Sequence, residues 1–377
     1  MKTTCSPNSG PHHRCLLIGG LVLLLPTLSF AATPPGYSGG KATLELKEPR
    51  IAAEDLRSLA ADGVVRAQPE DDRGNWNWRY ADWLAALRVE ALAEGVSPAT
   101  FDAALAGVVP LPEVLVSDRN QPEVKLGLET YLARLVTDRR VAAGREQLRL
   151  HQHLLEEIRA RYHVDPRFLV ALWGVESDYG RITGDLPVFA ALVTLAYDPR
   201  RADYFRKELL AALHLLGEHR VPSADLRGSW AGAMGGLQFM PTVFRRFAVD
   251  YNGDGQVDVW REPGDLLATG AAYLAASGWR DDQAWGCEVR LSRLIGPELL
   301  GHGQRLGLAG WREQGVQALD GGDLAGPEQE ASLIIPDAAS GRAFLVYENF
   351  RVLRKWNRSD LYALAVSILA DRLVEGE

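Results

Sequence analysis

The chain has 377 residues, 47% hydrophobic and 24% charged, a balance that excludes a disordered protein and accommodates one large or two ordinary domains. Its formal net charge of −8 argues against nucleic acid as a partner, since such binders carry a basic face. Cysteine is confined to Cys5, Cys15 and Cys287, which excludes a disulfide framework and a cysteine zinc cluster.

Residues 1–31 read as a secretory signal peptide: Lys2, His12, His13 and Arg14 precede the apolar run Cys15 to Leu25, and Ser29-Phe30-Ala31 supplies small residues for cleavage. The run is too short and too interrupted by Gly and Pro to span a membrane. Neither early cysteine lies in the Leu-x-Gly/Ala-Cys setting of bacterial lipid anchors, so a periplasmic protein without a lipid anchor is expected. Residues 32–75, rich in Pro, Gly and charge, read as a linker or N-terminal arm.

From Trp76 the pattern turns helical. Trp76, Trp83, Leu84, Leu87 and Leu92 fall at three- and four-residue spacings up to Gly95, and Ser97-Pro98 opens a second short helix through Leu105. The segment Tyr131 to Tyr162 continues with helical spacing, and further helices are expected over Asp203–Leu216, Asp265–Ala276 and Asp360–Leu373. Strand patterns are scarce, the best being Ala331–Pro336 and Arg342–Tyr347. The fold class is mainly α with minor β.

The segment Phe168–Gly180, FLVALWGVESDYG, carries one carboxylate in an apolar helix. Asp165 is placed to cap it, Pro166 fits its first turn and Gly180 is placed to end it. Leu169, Leu172, Trp173 and Glu176 recur at i, i+3, i+4 and i+7, so Glu176 points inward. Burial disfavours a charged carboxylate and makes such a group a proton donor; the other reading is a buried ion pair that only holds the core. Asp178 reads as a solvated or capping residue.

Gly228–Pro241, GSWAGAMGGLQFMP, is crowded with Gly and Ala. Small residues let backbone approach a ligand closely, with Ser229 and Gln238 presenting polar groups, or they serve tight helix packing. Asp250, Asn252, Asp254 and Gly255 match positions 1, 3, 5 and 6 of a calcium-loop template, with Gln256 offering its backbone carbonyl. Position 12 is Arg261 where the template has Glu, and the other reading is a polar turn that binds nothing.

Five stretches together, DRNQPE at Asp118–Glu123, LWGVESDYGRITG at Leu172–Gly184, PRRADYF at Pro199–Phe205, Gly228–Pro241 and DYNGDGQVDVW at Asp250–Trp260, resemble the family B lytic murein transglycosylases in order and spacing. The resemblance, running from about Trp83 to Leu369, implies a lysozyme-like helical catalytic core with an added helical domain and a small calcium-loop subdomain at about 245–280, within a catalytic region of 76–375. It implies peptidoglycan lytic transglycosylase activity, with non-hydrolytic cleavage of the MurNAc-GlcNAc bond to 1,6-anhydromuramyl ends and Glu176 as acid and then base. The rivals are a hydrolytic muramidase of the same fold and a non-catalytic peptidoglycan-binding scaffold.

The same resemblance implies substrate contacts at Ser229, Gln238, Tyr273 and Asn357. Where the family commonly shows Tyr-Asn, this chain has Trp356-Asn357. Arg200 and Arg201 match paired arginines that meet stem-peptide carboxylates, the other reading being a solvated surface. Calcium is expected as a structural ion, held by Asp250, Asn252, Asp254 and Gln256 and closed by Asp265 or Glu262, and no organic cofactor is expected. The expected partners are glycan strands, stem peptides and cell-wall synthesis proteins, the chain itself being a monomer.

Overall fold

A computed structural model describes residues 73–119, 126–218, 220–221, 226–322, 324 and 329–375, with backbone alone over 73–78. The signal peptide, the arm up to residue 72 and residues 120–123 of the DRNQPE stretch lie outside the described residues. The described residues divide into two units, 73–90 and 91–375. Helix α1 (Arg73–Ala93) makes up the first and ends three residues into the second; it starts three residues ahead of the expected Trp76.

The second unit continues with α2 (Pro98–Leu105), α3 (Pro112–Arg119), α4 (Leu128–Leu135), α5 (Asp138–Leu150), α6 (Gln152–Tyr162) and α7 (Pro166–Ser177). Polar caps set several starts: Ser97 Oγ accepts from the Thr100 N–H at 3.0 Å, and Asp165 accepts from the Arg167 N–H at 3.0 Å. The helical spacing expected over Tyr131–Tyr162 is met by three helices, α4, α5 and α6. Thr137 Oγ1 accepts from the Arg140 N–H and opens α5, while the Arg140 guanidinium donates to the carbonyls of Arg134 and Leu135 at the end of α4. His151, at φ −108° and ψ 20°, turns the chain between α5 and α6.

Helix α7 is buried all round, from Phe168 to Ser177, in place of the single inward stripe read from the sequence. A helix apolar on every face belongs in the middle of a helical core. There it packs against α5, α6, α11 (Pro263–Ala276) and α14 (Asp360–Val374). Before α11 come β1 (Leu186–Pro187), α8 (Val188–Tyr197), α9 (Ala202–Gly217), β2 (Arg227–Gly228) and α10 (Pro241–Phe247), with β1 and β2 forming a short antiparallel ladder.

Five antiparallel strands, β3 (Gly286–Leu291), β4 (Leu306–Gly307), β5 (Val316–Ala318), β6 (Glu330–Ile334) and β7 (Ala343–Val346), form a sheet in the order β4-β6-β7-β3-β5. One face packs Ala331, Leu333, Ala343 and Leu345 with Leu308 and Trp311 of α12 (Leu308–Glu313). From the other face, Phe344 meets Trp285, which in turn meets Phe350 of α13 (Glu348–Trp356). Both expected strands are present as β6 and β7. No helix among the described residues is long and apolar enough to cross a membrane.

Candidate active site

Glu176 lies one residue before the end of α7 and is 6% exposed. Its Oε1 accepts two hydrogen bonds, from the Trp356 indole N–H at 2.9 Å and from the Tyr362 hydroxyl at 2.6 Å. Trp356 is the last residue of α13, and Tyr362 stands in the first turn of α14, whose start is capped by Ser359. Aromatic contacts fix the indole, with Tyr273 edge-on at 4.9 Å and Phe239 at 5.5 Å.

Tyr273, expected to offer a face to sugar, is instead buried: it is 3% exposed, its hydroxyl donates to the Lys355 carbonyl at 2.9 Å, and Phe247 meets its ring. Burial pushes its phenol up to about 12. Asn357 ends α13 and is fully buried; its Oδ1 accepts from the Ser359 N–H, and its Nδ2 has no hydrogen-bond partner in the structure. Tyr273 therefore braces Trp356, the indole that donates to Glu176.

The chain leaves α7 through a strained turn. Asp178, Tyr179 and Gly180 all take left-handed φ, at 53°, 61° and 82°, so the helix ends at Ser177, three residues before Gly180, the stop read from the sequence. Two consecutive non-Gly residues in this region are costly. Their side chains show what holds them. The Tyr179 hydroxyl donates to the Arg140 carbonyl at 2.8 Å, and its ring fills the space where a Cβ on Gly144 or Gly174 would stand.

Asp178 is the C-cap of α7 but is not solvated, being 6% exposed. Arg139 donates to it at 2.9 and 3.0 Å, Arg181 at 2.7 Å, and Arg140 lies at 3.6 Å. Burial works against its charge, yet the Arg181 and Arg139 guanidiniums outweigh burial and hold its carboxyl below the usual range.

Ser177 joins this turn to the Gly-rich stretch. Its hydroxyl donates to the Gly236 carbonyl at 2.5 Å and accepts from the Gly180 N–H at 2.9 Å. Gln238, itself left-handed at φ 51°, donates through Nε2 to the carbonyls of Thr183 and Gly235. Ser229 Oγ accepts from the N–H groups of Ala231 and Ala233 at 3.3 and 3.1 Å. A Cβ on Gly184 would collide with the Gly228 backbone, so close packing is one reason for the small residues here.

Arg200 and Arg201 both reach the buried carboxylate of Asp118, which Arg200 also meets at the backbone carbonyl. Their charge is thus met within the fold, a partnership that the sequence did not reveal. Tyr362, Ser177 and Asp118 are the other residues of this region that the sequence reading missed. Only the Ser359 cap, which fixes Tyr362 in a helical first turn, could have drawn attention to one of them.

In the Asp250–Asp258 loop, Asp250 accepts from the N–H groups of Gly253, Asp254 and Gly255, and Asp254 accepts from the Gln256 N–H. Asp265, 1% exposed at the start of α11, takes the Tyr251 N–H on one oxygen and the Asp258 N–H on the other, both at 2.8 Å, and so ties the two sides of the loop together. Burial pushes its carboxyl up. Among the described residues no three acidic, His or Cys side chains gather as a ready metal cluster. The residues nearest the template offer oxygen donors, half-buried at Asp250 and exposed at Asn252 and Asp254, which fits a hard cation.

Residues 79–371 match the family described as Transglycosylase SLT domain. The chain is 34% identical over 215 residues to the membrane-bound lytic murein transglycosylase B of Escherichia coli strain K12. That alignment takes in 54% of this chain and 56% of the relative, so the chain spans about half the length of that relative. Its structure is similar to that of SltB3 from Pseudomonas aeruginosa in complex with NAG-anhNAM-pentapeptide, at 45% identity and TM-score 0.75 over 79% of this chain and 80% of that one. It is also similar to the E. coli lytic transglycosylase Slt35 in complex with calcium, at 27% identity and TM-score 0.68 over 78% and 92% of the two chains.

Proposed function

Because the chain belongs to the Transglycosylase SLT domain family, we propose that it is a periplasmic peptidoglycan lytic transglycosylase that cleaves the MurNAc-GlcNAc bond without water. The observation that carries this reading is the setting of Glu176: one carboxyl at the end of a buried helix, held through one oxygen by an indole and a phenol. The named ligand of the P. aeruginosa relative, a glycan-peptide with an anhydro sugar, supports the substrate class.

Glu176 protonates the oxygen that links muramyl C1 to the next sugar, and the C1–O bond breaks as that oxygen leaves as a hydroxyl. The substrate's own N-acetyl group stabilises the cationic centre, which is why one enzyme carboxylate suffices where most glycosidases use two. The muramyl C6 hydroxyl then closes on C1 while Glu176 takes its proton, which restores the acid. Ser229 and Gln238, on the segment that Ser177 fastens to the end of α7, contact the substrate, and Asn357 closes the wall behind Trp356. Arg200 and Arg201 reach stem-peptide carboxylates with the guanidinium edges that Asp118 leaves.

Asp250, Asn252 and Asp254, with the Gln256 carbonyl and Asp265, would hold calcium. When bound, the ion supplies structural cross-linking of the loop through oxygen ligands, and Asp265 already ties the loop ends. The oxygen donor set and the calcium complex of the E. coli relative support this.

The proposal is tested by incubating purified sacculi with the protein and with its Glu176→Gln variant. Solubilisation by the first alone, with both still sedimenting with sacculi, is the expected result. Equal solubilisation by both would remove Glu176 from the chemistry, and sedimentation without solubilisation by either would identify a binding scaffold.

A further inference from the structure

We infer that Trp356 and Tyr362 decide which oxygen of Glu176 carries the proton, reserving Oε1 as a permanent acceptor and Oε2 as the atom that gives and takes it. The inference deepens the acid assignment made above and rests on it.

What each group can donate or accept decides the assignment. An indole N–H only donates, so at 2.9 Å from Trp356 Nε1 the Oε1 atom must present a lone pair. The Tyr362 hydroxyl, on a fully buried side chain, lies 2.6 Å from the same oxygen and donates to it. A carboxyl oxygen has two lone-pair directions in its plane, and these two donors use both. To place a proton on Oε1, the Tyr362 hydroxyl, which can also accept, would have to reverse its bond.

The surroundings hold both rings in place. Tyr273 edge-on and Phe239 brace the indole, Tyr273 is tied to the backbone at Lys355, and the turn carrying Tyr362 is capped by Ser359. With the Tyr362 hydroxyl donating to Oε1 as it does here, the protonated acid is C=Oε1 and Oε2–H. When the proton leaves, charge develops on a carboxylate whose Oε1 already holds two hydrogen bonds, and such bonds favour the charged form. The proton from the muramyl C6 hydroxyl returns to Oε2, so one carboxyl serves both half-reactions without rotating.

In this arrangement Trp356 acts through Glu176 and is a positioning residue, as is Tyr362. The change at Trp356 from the family's usual tyrosine has a chemical consequence: a phenol can donate or accept, whereas the indole here can only donate.

The test is the pH dependence of kcat/KM for sacculus solubilisation by the full chain and its Trp356→Phe, Tyr362→Phe and Glu176→Gln variants. Each Phe variant keeps a ring and removes one donor to Oε1, so its acid holds the proton to higher pH. The alkaline limb moves up by about one to two pH units, the size of one hydrogen bond to a charged group, and kcat falls while KM holds. Tyr362→Phe, nearly isosteric, keeps the test decisive if Trp356→Phe disturbs packing. An unmoved limb in the Phe variants, with Glu176→Gln inactive, overturns the inference alone; activity retained in Glu176→Gln overturns the acid assignment beneath it.

Discussion

Ser177 Oγ stands 2.5 Å from the Gly236 carbonyl and 2.9 Å from the Gly180 N–H, so one buried hydroxyl joins the residue after Glu176 to the Gly-rich segment and closes the left-handed turn. Ser177→Ala strands a buried carbonyl and releases an N–H. Stability should fall by about 1–3 kcal/mol in urea unfolding, and sacculus cleavage should fall with it because the segment bearing Ser229 and Gln238 loses its anchor. Ser177→Thr, which keeps the hydroxyl, should retain more of both.

The arginines around Asp178 make a pH-dependent contribution. Its folded carboxyl titrates below its ordinary value of 3.8, so the unfolded chain binds the proton more readily. Stability from this group is then fully present above that ordinary value and is lost as pH falls through the lower folded value. Asp178→Asn should be less stable than the parent near neutrality, and the gap should close below about pH 4. Denaturant midpoints of both proteins across that range would show it; a gap constant with pH would refute the role given to the three arginines.

At Asp118 a single buried carboxylate receives both Arg200 and Arg201. Asp118→Ala leaves two guanidiniums without their counter-charge and should lower stability by about 1–3 kcal/mol. Arg200→Ala and Arg201→Ala separate fold from substrate. If they also meet stem peptides, KM should rise on peptide-bearing glycan but stay level on glycan stripped of peptide.

Calcium should raise the thermal midpoint by linkage, since an ion that binds only the folded chain at 100 times its Kd adds about 2.7 kcal/mol. Asp250→Ala and Asp254→Ala should abolish that rise. A midpoint equal with calcium and with chelator would leave the Asp250–Asp258 loop a polar turn tied by Asp265.

Glu176 was legible because a lone carboxylate in FLVALWGVES breaks an apolar period, and the helices over Ala202–Gly217, Pro263–Ala276 and Asp360–Val374 were legible from the same period. What faces Glu176 was not, because Trp356 and Tyr362 stand 180 and 186 residues away in sequence and local spacing carries no record of such pairings. The two breaks within the helical stretch Tyr131–Tyr162 were not legible for another reason: apolar spacing runs across them, and only the cap at Thr137 and the turn at His151 reveal them. The partners of Asp178 and of the arginine pair were not legible for a third, since the residues that meet them lie elsewhere in the chain.

The central claim is cleavage without water by Glu176, and the masses of the muropeptides released from sacculi test it most directly. The account predicts muramyl ends lighter by one water than hydrolysed ends, released by the parent and absent with Glu176→Gln. Products carrying the full mass of water at the muramyl end would contradict it and establish a hydrolase.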